Sequence, residues 1–133
     1  MVIPIDIRTH AKTELLDISA DVQRAVAESG VVSGVCFLFV PHTTAALTFN
    51  ENWDRDVRHD MLLTINEMVP QDLRYRHSEG NSPAHIKSSM FGVNLFVFVE
   101  RGQIQLGRWQ GVYFAEFDGP RHRTVWVTVM ARA

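Results

Sequence analysis

The last third of the chain is a series of short apolar segments separated by turn residues, and this feature restricts the possible folds most. The segments are VNLFVFV, QIQLG, GVYFAEF and TVWVTVM, with a hairpin predicted at Arg101-Gly102. In the last of them Val125, Val127 and Val129 alternate with Trp126, Thr128 and Met130. Because both faces are apolar, these strands need two packed layers or burial against sister subunits, and we expect a homo-oligomer.

The first two thirds mix strand and helix patterns. Alternation predicts a strand over 2–8, and the run GVCFLFV at 34–40 predicts a strand buried on both faces. A first helix is predicted at 17–29, with Ile18, Val22 and Val26 facing inward. A second is predicted to begin after an Asp54 N-cap, with an apolar stripe of Val57, Met61, Ile65 and Met68. A third is predicted at 82–91, with Ile86 and Met90 facing inward. At 133 residues the chain forms one domain, 1–133, so the prediction is an α+β, two-layer, β-rich fold with about three helices.

Charge and composition exclude several classes of partner. The net charge is −2 and the cations are spread along the chain, so nucleic acid is not an expected partner. No apolar run approaches the roughly 20 residues that span a bilayer, and the N-terminus lacks signal-peptide features, so we expect no membrane partner and a cytoplasmic location. The single cysteine, Cys36, is interpreted as a small buried hydrophobic residue.

Three polar clusters interrupt this framework: PHTTAALTFNEN, YRHSEGNSPAHIKS, and GRWQG with EFDGPRHR. His42, His77 and His85 in the first two clusters could share a divalent metal and leave a position open for water or substrate. Zinc is the first expectation, with magnesium or another transition metal as alternatives. No local zinc motif supports the set, and the alternative is that each histidine is satisfied by backbone groups, as we expect for His10, His59 and His122.

The same clusters contain groups suited to a phosphorylated ligand. Gly80-Asn81 forms a turn before a helix N-terminus, and Lys87, Arg121 and Arg123 are suitable phosphate partners, although surface charge is the alternative for these cations. Trp109 and Gln110 could bind a flat ring, while Trp53 and Trp126 are assigned to packing. The His77-x-Glu79 pair resembles part of the zinc deaminase motif, but P-C-x-x-C is absent, so deamination is rejected.

At these clusters the chain resembles the YjbQ-like family, described as secondary thiamine-phosphate synthases. The matching segments follow in the family's order: HTTAA from His42, Asn50-Glu51-Asn52, His77-x-Glu79-Gly80-Asn81, AHIK from Ala84, Trp109-Gln110-Gly111 and EFDGPR from Glu116. The resemblance covers nearly the whole chain.

The resemblance implies a homotrimer with a metal held by His42, His77 and His85 near subunit boundaries. It also implies that hydroxymethylpyrimidine diphosphate and thiazole phosphate are joined with release of pyrophosphate, as a secondary activity. The expected substrate-binding residues are Thr43, Thr44, Asn50, Glu51, Gly80, Asn81, Lys87, Trp109, Gln110, Arg121 and Arg123. Glu79 or Asp60 is the expected general base or the partner that orients a ligating imidazole.

The same residues are compatible with two other functions. A metal-dependent hydrolase would use the open coordination position for an activated water. A non-catalytic trimer would use the metal only to hold its loops together and bind a ligand.

Overall fold

The computed structural model describes all 133 residues and contains three helices and eight strands, the strands all antiparallel to their neighbours. In chain order the elements are β1 (Ile3–Arg8), β2 (Glu14–Asp17), α1 (Ser19–Ser29), β3 (Gly34–Phe39), β4 (Ala45–Glu51), α2 (Arg55–Met68), α3 (Ser82–Phe91), β5 (Asn94–Glu100), β6 (Gln103–Ile104), β7 (Gln110–Glu116) and β8 (His122–Ala131). The predicted single α+β domain with three helices is confirmed. No helix combines the length and hydropathy that crossing a bilayer requires.

Five strands form the larger sheet, in the order β1-β8-β3-β5-β6. The predicted alternation of β8 is confirmed, because Val125 and Val127 are fully buried while Trp126 is 44% exposed. The prediction that β3 is buried on both faces is wrong for the single chain: Cys36 and Leu38 lie in the core, but Phe37 and Phe39 lie on the open face. One side of this sheet therefore covers the core and the other presents aromatic rings.

The smaller sheet, in the order β2-β7-β4, lies between two apolar layers. From β7, Val112 and Phe114 pack with α1 and the inner face of the larger sheet. Tyr113 and Ala115 face the opposite way and pack with α2 and α3. The prediction of two layers is therefore incomplete. Helices α2 and α3 form a third layer, because a strand that is apolar on both faces must be covered on both.

The predicted Asp54 N-cap of α2 is confirmed, and the predicted inward face of that helix is confirmed except at its C-terminal end. Gly30 adopts a left-handed conformation (φ +73°) after α1, and the Asp54 side chain accepts a hydrogen bond from the Asp56 N–H before α2. Within α2, Ile65 is buried as predicted, but Met68 is largely exposed. Met61, which was also predicted to face inward, packs against the core together with Leu62.

The inward face of α3 is polar, contrary to the prediction that Ile86 and Met90 face the core. Those two side chains are 38% and 51% exposed. The buried positions are Ala84, Lys87 and Ser88. Ser88 Oγ donates to the Ala45 carbonyl at 2.7 Å and Lys87 Nζ donates to Asn66 Oδ1 at 2.6 Å, so polar contacts fix the rotation of this helix. That rotation turns His85 away from the core.

Candidate functional site

The candidate site lies where β4 begins and β7 ends. Ala45 pairs with Glu116 across these strands, so the segment before β4 and the segment after β7 are neighbours. The loop after Pro70 and the start of α3 close over them. Together they line a cavity of about 420 Å³, called here the histidine cavity, whose lining residues are Pro41, His42, Thr43, Thr44, His77, Glu79, Asn81, His85, Asp118, Arg121 and Arg123.

His77 and His85 form the closest pair of candidate metal ligands. Their ring centroids are 5.3 Å apart and the rings are nearly perpendicular. Two imidazoles that bind one zinc ion through nitrogens at about 2.0 Å, with tetrahedral geometry, have ring centroids roughly 5 Å apart. The separation of these two rings is therefore compatible with a shared ion.

His42 lines the same cavity but is held differently. Its Nε2 accepts a hydrogen bond from the Thr124 backbone N–H at 3.0 Å, so the proton of the neutral ring lies on Nδ1. Burial, and then the charge of Arg123, lowers the pKa of His42 and favours the neutral form that metals bind. To offer a free ring nitrogen to an ion, His42 has to give up the hydrogen bond to Thr124.

The donor set therefore fits a metal in chemistry and only partly in geometry. Neutral imidazoles are ordinary ligands for zinc and other transition metals. In this conformation, however, no three His, Cys, Asp or Glu side chains converge closely enough to surround an ion. His42 lines the same cavity as the pair formed by His77 and His85, but its ring nitrogen is engaged by the Thr124 N–H.

A buried ion pair forms the floor of the site. Glu116 is fully buried and Arg123 is 4% exposed, and two guanidinium nitrogens donate to the carboxylate. Thr9 Oγ1 also donates to Glu116, and Arg123 donates to Thr44 Oγ1. Burial alone would raise the pKa of Glu116, but the hydrogen bonds from Arg123, Thr9 and the Asp118 N–H lower it. Arg123 is thus committed to the protein's own carboxylate.

Asp118 is the second anchored carboxylate. Its side chain accepts hydrogen bonds from Lys12 at 2.9 Å, Asn81 at 2.8 Å and Arg121 at 3.1 Å. Burial opposes the charged form, yet the three donors outweigh it and lower the pKa of Asp118 to about 2. The carboxylate joins the β1–β2 loop, the start of α3 and the segment after β7, so it fixes the walls of the histidine cavity relative to one another.

Arg121 and Glu79 are the charged groups of the cavity that keep capacity for a ligand. Arg121 is half exposed and uses Nε and one terminal nitrogen on Asp118, which leaves further N–H donors available. Glu79 is exposed and forms no hydrogen bond or ion pair within the chain. A cavity with imidazoles, one guanidinium and one free carboxylate can bind an anionic group and also accept a proton.

Three other predicted residues lie outside this cavity. Lys87 and Gly80 line a neighbouring cavity with Lys12. Asp60 lies on the solvent side of α2, where its carboxylate contacts His59 at 3.2 Å. Of the two candidate bases, only Glu79 faces the predicted metal ligands.

The remaining predicted residues lie at the opposite end of the smaller sheet. Glu51 pairs with Gln110, and Asn50 with Gly111, at the last residues of β4. In an extended strand they are about 20 Å from the first residues of β4. Trp109 packs edge to face on Trp53, with ring centroids 5.8 Å apart, and both rings are open to solvent. A single chain therefore does not bring Asn50, Glu51, Trp109 and Gln110 to the histidine cavity.

Sequence reasoning missed Glu116, Asp118 and Lys12. A signal for Glu116 was present, since it is the only charged residue within the otherwise apolar segment GVYFAEF. Lys12 is distant in sequence and is brought in by the β1–β2 loop, where Lys12 O accepts a hydrogen bond from the Gly119 N–H. Gly119 has no room for a side chain, because a Cβ would lie 2.3 Å from the Ala11 carbonyl oxygen.

The structural interpretation of Cys36 is supported, because burial raises the pKa of its thiol to about 11.

The fold and the site together define the class of protein. It is a single α+β domain with two antiparallel sheets and a cavity lined by histidine and arginine side chains. The sequence profile described as "UPF0047 protein YjbQ-like" matches residues 3–132, so the chain belongs to this family, as its motifs predicted. It is 46% identical to UPF0047 protein YugU of Bacillus subtilis over 127 residues, which cover 95% of this chain and 96% of that protein. It is 42% identical to UPF0047 protein MJ1081 of Methanocaldococcus jannaschii, with 98% and 94% covered.

Solved structures give the same result for the fold. A YjbQ/UPF0047 family protein of Clostridium acetobutylicum superposes with a TM-score of 0.93 at 45% identity, covering 96% of this chain and 99% of that one. A conserved hypothetical protein of Thermus thermophilus superposes with a TM-score of 0.90 at 41% identity, covering 96% and 99%. These names state no activity.

Proposed function

We propose that this chain is a metal-dependent enzyme with thiamine-phosphate synthase activity as a secondary reaction. In that reaction the thiazole ring nitrogen attacks the methylene carbon of hydroxymethylpyrimidine diphosphate. A C–N bond forms from the nitrogen lone pair, the C–O bond breaks, and pyrophosphate leaves with the bonding electrons. The observation that carries the proposal is that three histidines and a partly free arginine line one cavity, with the His77 and His85 rings 5.3 Å apart.

The residues of the histidine cavity have separate roles in this proposal. His42, His77 and His85 would hold the ion, zinc in the first instance, which when bound supplies positive charge to stabilise the leaving pyrophosphate. The free donors of Arg121 bind the same negative charge. Arg123 does not, because Glu116 already neutralises it, and its role is to hold Thr44 in place through Thr44 Oγ1.

Glu79 separates the synthase from its main rival, a metal-dependent hydrolase. The attacking thiazole nitrogen carries no proton, so the synthase reaction needs no general base, and Glu79 would serve only to orient an imidazole. Hydrolysis requires that a water lose a proton, and the free Glu79 carboxylate in the same cavity favours that alternative. Glu79→Gln should therefore retain most of a synthase activity and lose most of a hydrolase activity.

We also propose a homotrimer, supported by the open side of the larger sheet. This aromatic face consists of side chains that project from β3, β5 and β8 and are 42–59% exposed: Phe37, Phe39, Phe96, Phe98, Trp126 and Met130. Contiguous exposed apolar surface of this kind marks an interaction site. Phe39 also lines a cavity that includes His42 and His85, so a subunit on this face would adjoin the histidines. Phe96→Glu places a charge on this aromatic face, so the variant should behave as a monomer when its size is measured by sedimentation.

Elemental analysis of the purified protein tests the metal. We expect about one ion per chain in the wild type and a loss of most of it in His77→Ala. His59→Ala is the matched control, because His59 is an exposed histidine outside the cavity, and it should keep the wild-type content. Equal metal content in the two variants would remove the basis of the proposal.

Turnover and melting then separate the candidate functions. Purified protein is assayed with hydroxymethylpyrimidine diphosphate and thiazole phosphate, with and without chelation, and in parallel with simple phosphate esters. Metal-dependent product from the substrate pair supports the synthase, and free phosphate from esters supports the hydrolase. If chelation lowers the melting temperature while no substrate reacts, the non-catalytic trimer is the better account.

A further inference from the structure

The neighbouring cavity that contains Lys87 carries an inference of its own. It has a volume of about 260 Å³ and lies between the β1–β2 loop, the end of α2 and the start of α3. We call it the lysine cavity, and its polar lining includes Lys12, Lys87, Asn66, Gly80 and Asn81. No Asp or Glu lines it. Lys12 and Lys87 are the only two lysines of the chain, so its whole complement of primary side-chain amines meets here.

Lys87 is a buried cation without a counter-charge. The residue is 5% exposed, and no carboxylate oxygen lies within 4.0 Å of its ammonium group. One of its three N–H donors goes to Asn66 Oδ1, and the Phe117 ring lies 5.9 Å away. A buried charge is costly to the fold unless an opposite charge and further hydrogen bonds compensate it. The chain itself supplies only neutral partners.

The surroundings add positive potential. Lys12 stands at the open rim, and its only carboxylate partner, Asp118, is shared with Arg121. Helix α3 begins at the wall of the cavity with no acidic residue in its first turn and no side chain capping it. Its dipole therefore adds to the field of the two ammonium groups.

We propose that the lysine cavity binds a phosphate group, with Lys87 as the buried anchor and Lys12 at the entrance. A phosphate oxygen offers the acceptors that the remaining Lys87 donors lack, and its negative charge compensates the buried cation. The lysine cavity is large enough for several water molecules, each of which occupies about 30 Å³ in the liquid, and therefore for an oxyanion. This site is separate from the histidine cavity and does not depend on the proposed metal.

Because the chain has two lysines, the binding can be observed at the lysines themselves. The full-length protein is prepared with ¹³C-labelled lysine, treated with chelator, and titrated with sodium phosphate against sodium chloride at equal ionic strength. The two sets of ε-methylene signals are assigned with Lys12→Met and Lys87→Met. We expect saturable shifts at both lysines with phosphate and none with chloride.

The variants locate the bound phosphate. Lys87→Met should weaken phosphate binding at least about tenfold, as expected for the loss of charge-assisted hydrogen bonds. Arg24→Met is the matched control, because it removes one positive charge from an exposed ion pair on α1, and its affinity should stay within twofold of wild type. Lys12→Met provides a second test should Lys87→Met fold poorly, and it should weaken binding by a smaller factor.

Two further arms complete the test. Methyl phosphate that binds as well as inorganic phosphate identifies the ligand as the phosphoryl group of a larger molecule, whereas binding of the inorganic ion alone identifies free phosphate. His77→Ala should bind phosphate as the wild type does, so loss of the metal site and loss of this site are distinguishable. Shifts that do not saturate, or equal affinity in Lys87→Met and wild type, would overturn the proposal.

Discussion

The two ends of the smaller sheet differ in how their functional side chains are held. At the end where Ala45 pairs with Glu116, charged groups are buried and bonded to one another, as in the Glu116–Arg123 pair. At the end where Glu51 pairs with Gln110, the Trp53 and Trp109 rings are open to solvent and make few fixed contacts. The first end is shaped by the single chain. The second is left open to solvent by the single chain.

This difference implies different sensitivities to substitution. Removing one member of a buried pair leaves an uncompensated charge, so the first end should respond with large changes in the free energy of unfolding. Truncating an exposed ring removes little buried area, so the second end should respond mainly in activity. Three predictions test this contrast.

The largest effect is expected for Glu116→Gln. The substitution keeps the shape but leaves Arg123, 4% exposed, without a counter-charge, and should lower the free energy of unfolding by about 3–5 kcal/mol. Urea denaturation measures it. Glu67→Gln on the exposed side of α2 is the control and should change the value by less than about 0.5 kcal/mol. A loss below about 1 kcal/mol would mean that the pair is not the rigid floor described here.

An intermediate, pH-dependent effect is expected for Asp118. Its pKa in the folded protein, about 2, is below the ordinary 3.8, so its stabilising contribution is present above about pH 4 and is lost as the pH falls toward 2. The contribution should be about 2 kcal/mol. Asp118→Asn should therefore be less stable than wild type at pH 6, with the difference shrinking as the solution is acidified.

The carboxyl carbon resonance of Asp118 gives a direct check on that prediction. Its titration should be centred near pH 2 rather than near pH 4. Asp60→Asn is the matched control for stability, because Asp60 lies on the exposed face of α2, and it should change the free energy of unfolding by less than about 0.5 kcal/mol at any pH in this range. A midpoint near pH 4 for Asp118 would show that its three donors do not hold it as described.

Residue periodicity was enough to predict most of the fold. The alternation of Val125 and Val127 with Trp126 predicted β8 and its two faces, and Asp54 predicted the start of α2, because these signals depend on neighbouring residues alone. Periodicity failed for α3, where Ile86 and Met90 suggested the inward face. The burial of Lys87 and Ser88 depends on partners such as Asn66 and Ala45 that only the tertiary fold supplies.

For the candidate site, the sequence located the histidines but not the groups that support them. His42, His77 and His85 were predicted from residue type and family motifs, and they line one cavity. Nothing local to Lys12 indicates that it reaches Asp118, which is 106 positions away. The order of the motifs likewise did not indicate how far Trp109 lies from the histidines in the folded chain. The residues of the family motifs were all assigned to one site, although the length of β4 separates Trp109 from the histidines within the chain.

That separation leads to the smallest expected effect on stability and a distinctive effect on activity. Trp109→Ala should lower the free energy of unfolding by about 1 kcal/mol or less, because the ring is 46% exposed and packs mainly on Trp53 and Arg108. If the trimer brings Trp109 of one subunit to the histidine cavity of another, the same variant should lose most of its synthase activity.

Mixing subunits tests that arrangement. Inactive Trp109→Ala and inactive His77→Ala chains, unfolded together and refolded as mixed trimers, should regain activity, because some cavities then combine an intact Trp109 with an intact His77 from different chains. A mixture of His77→Ala with His85→Ala is the control and should regain none, since those two residues line one cavity within a single chain. Recovery in the first mixture alone would establish that the open end of the sheet is completed by a neighbouring subunit. Absence of recovery in both would exclude this arrangement, whereas a Trp109→Ala chain that keeps its activity would confine Trp109 to packing against Trp53 and Arg108. The two ends of the sheet would then serve unrelated purposes.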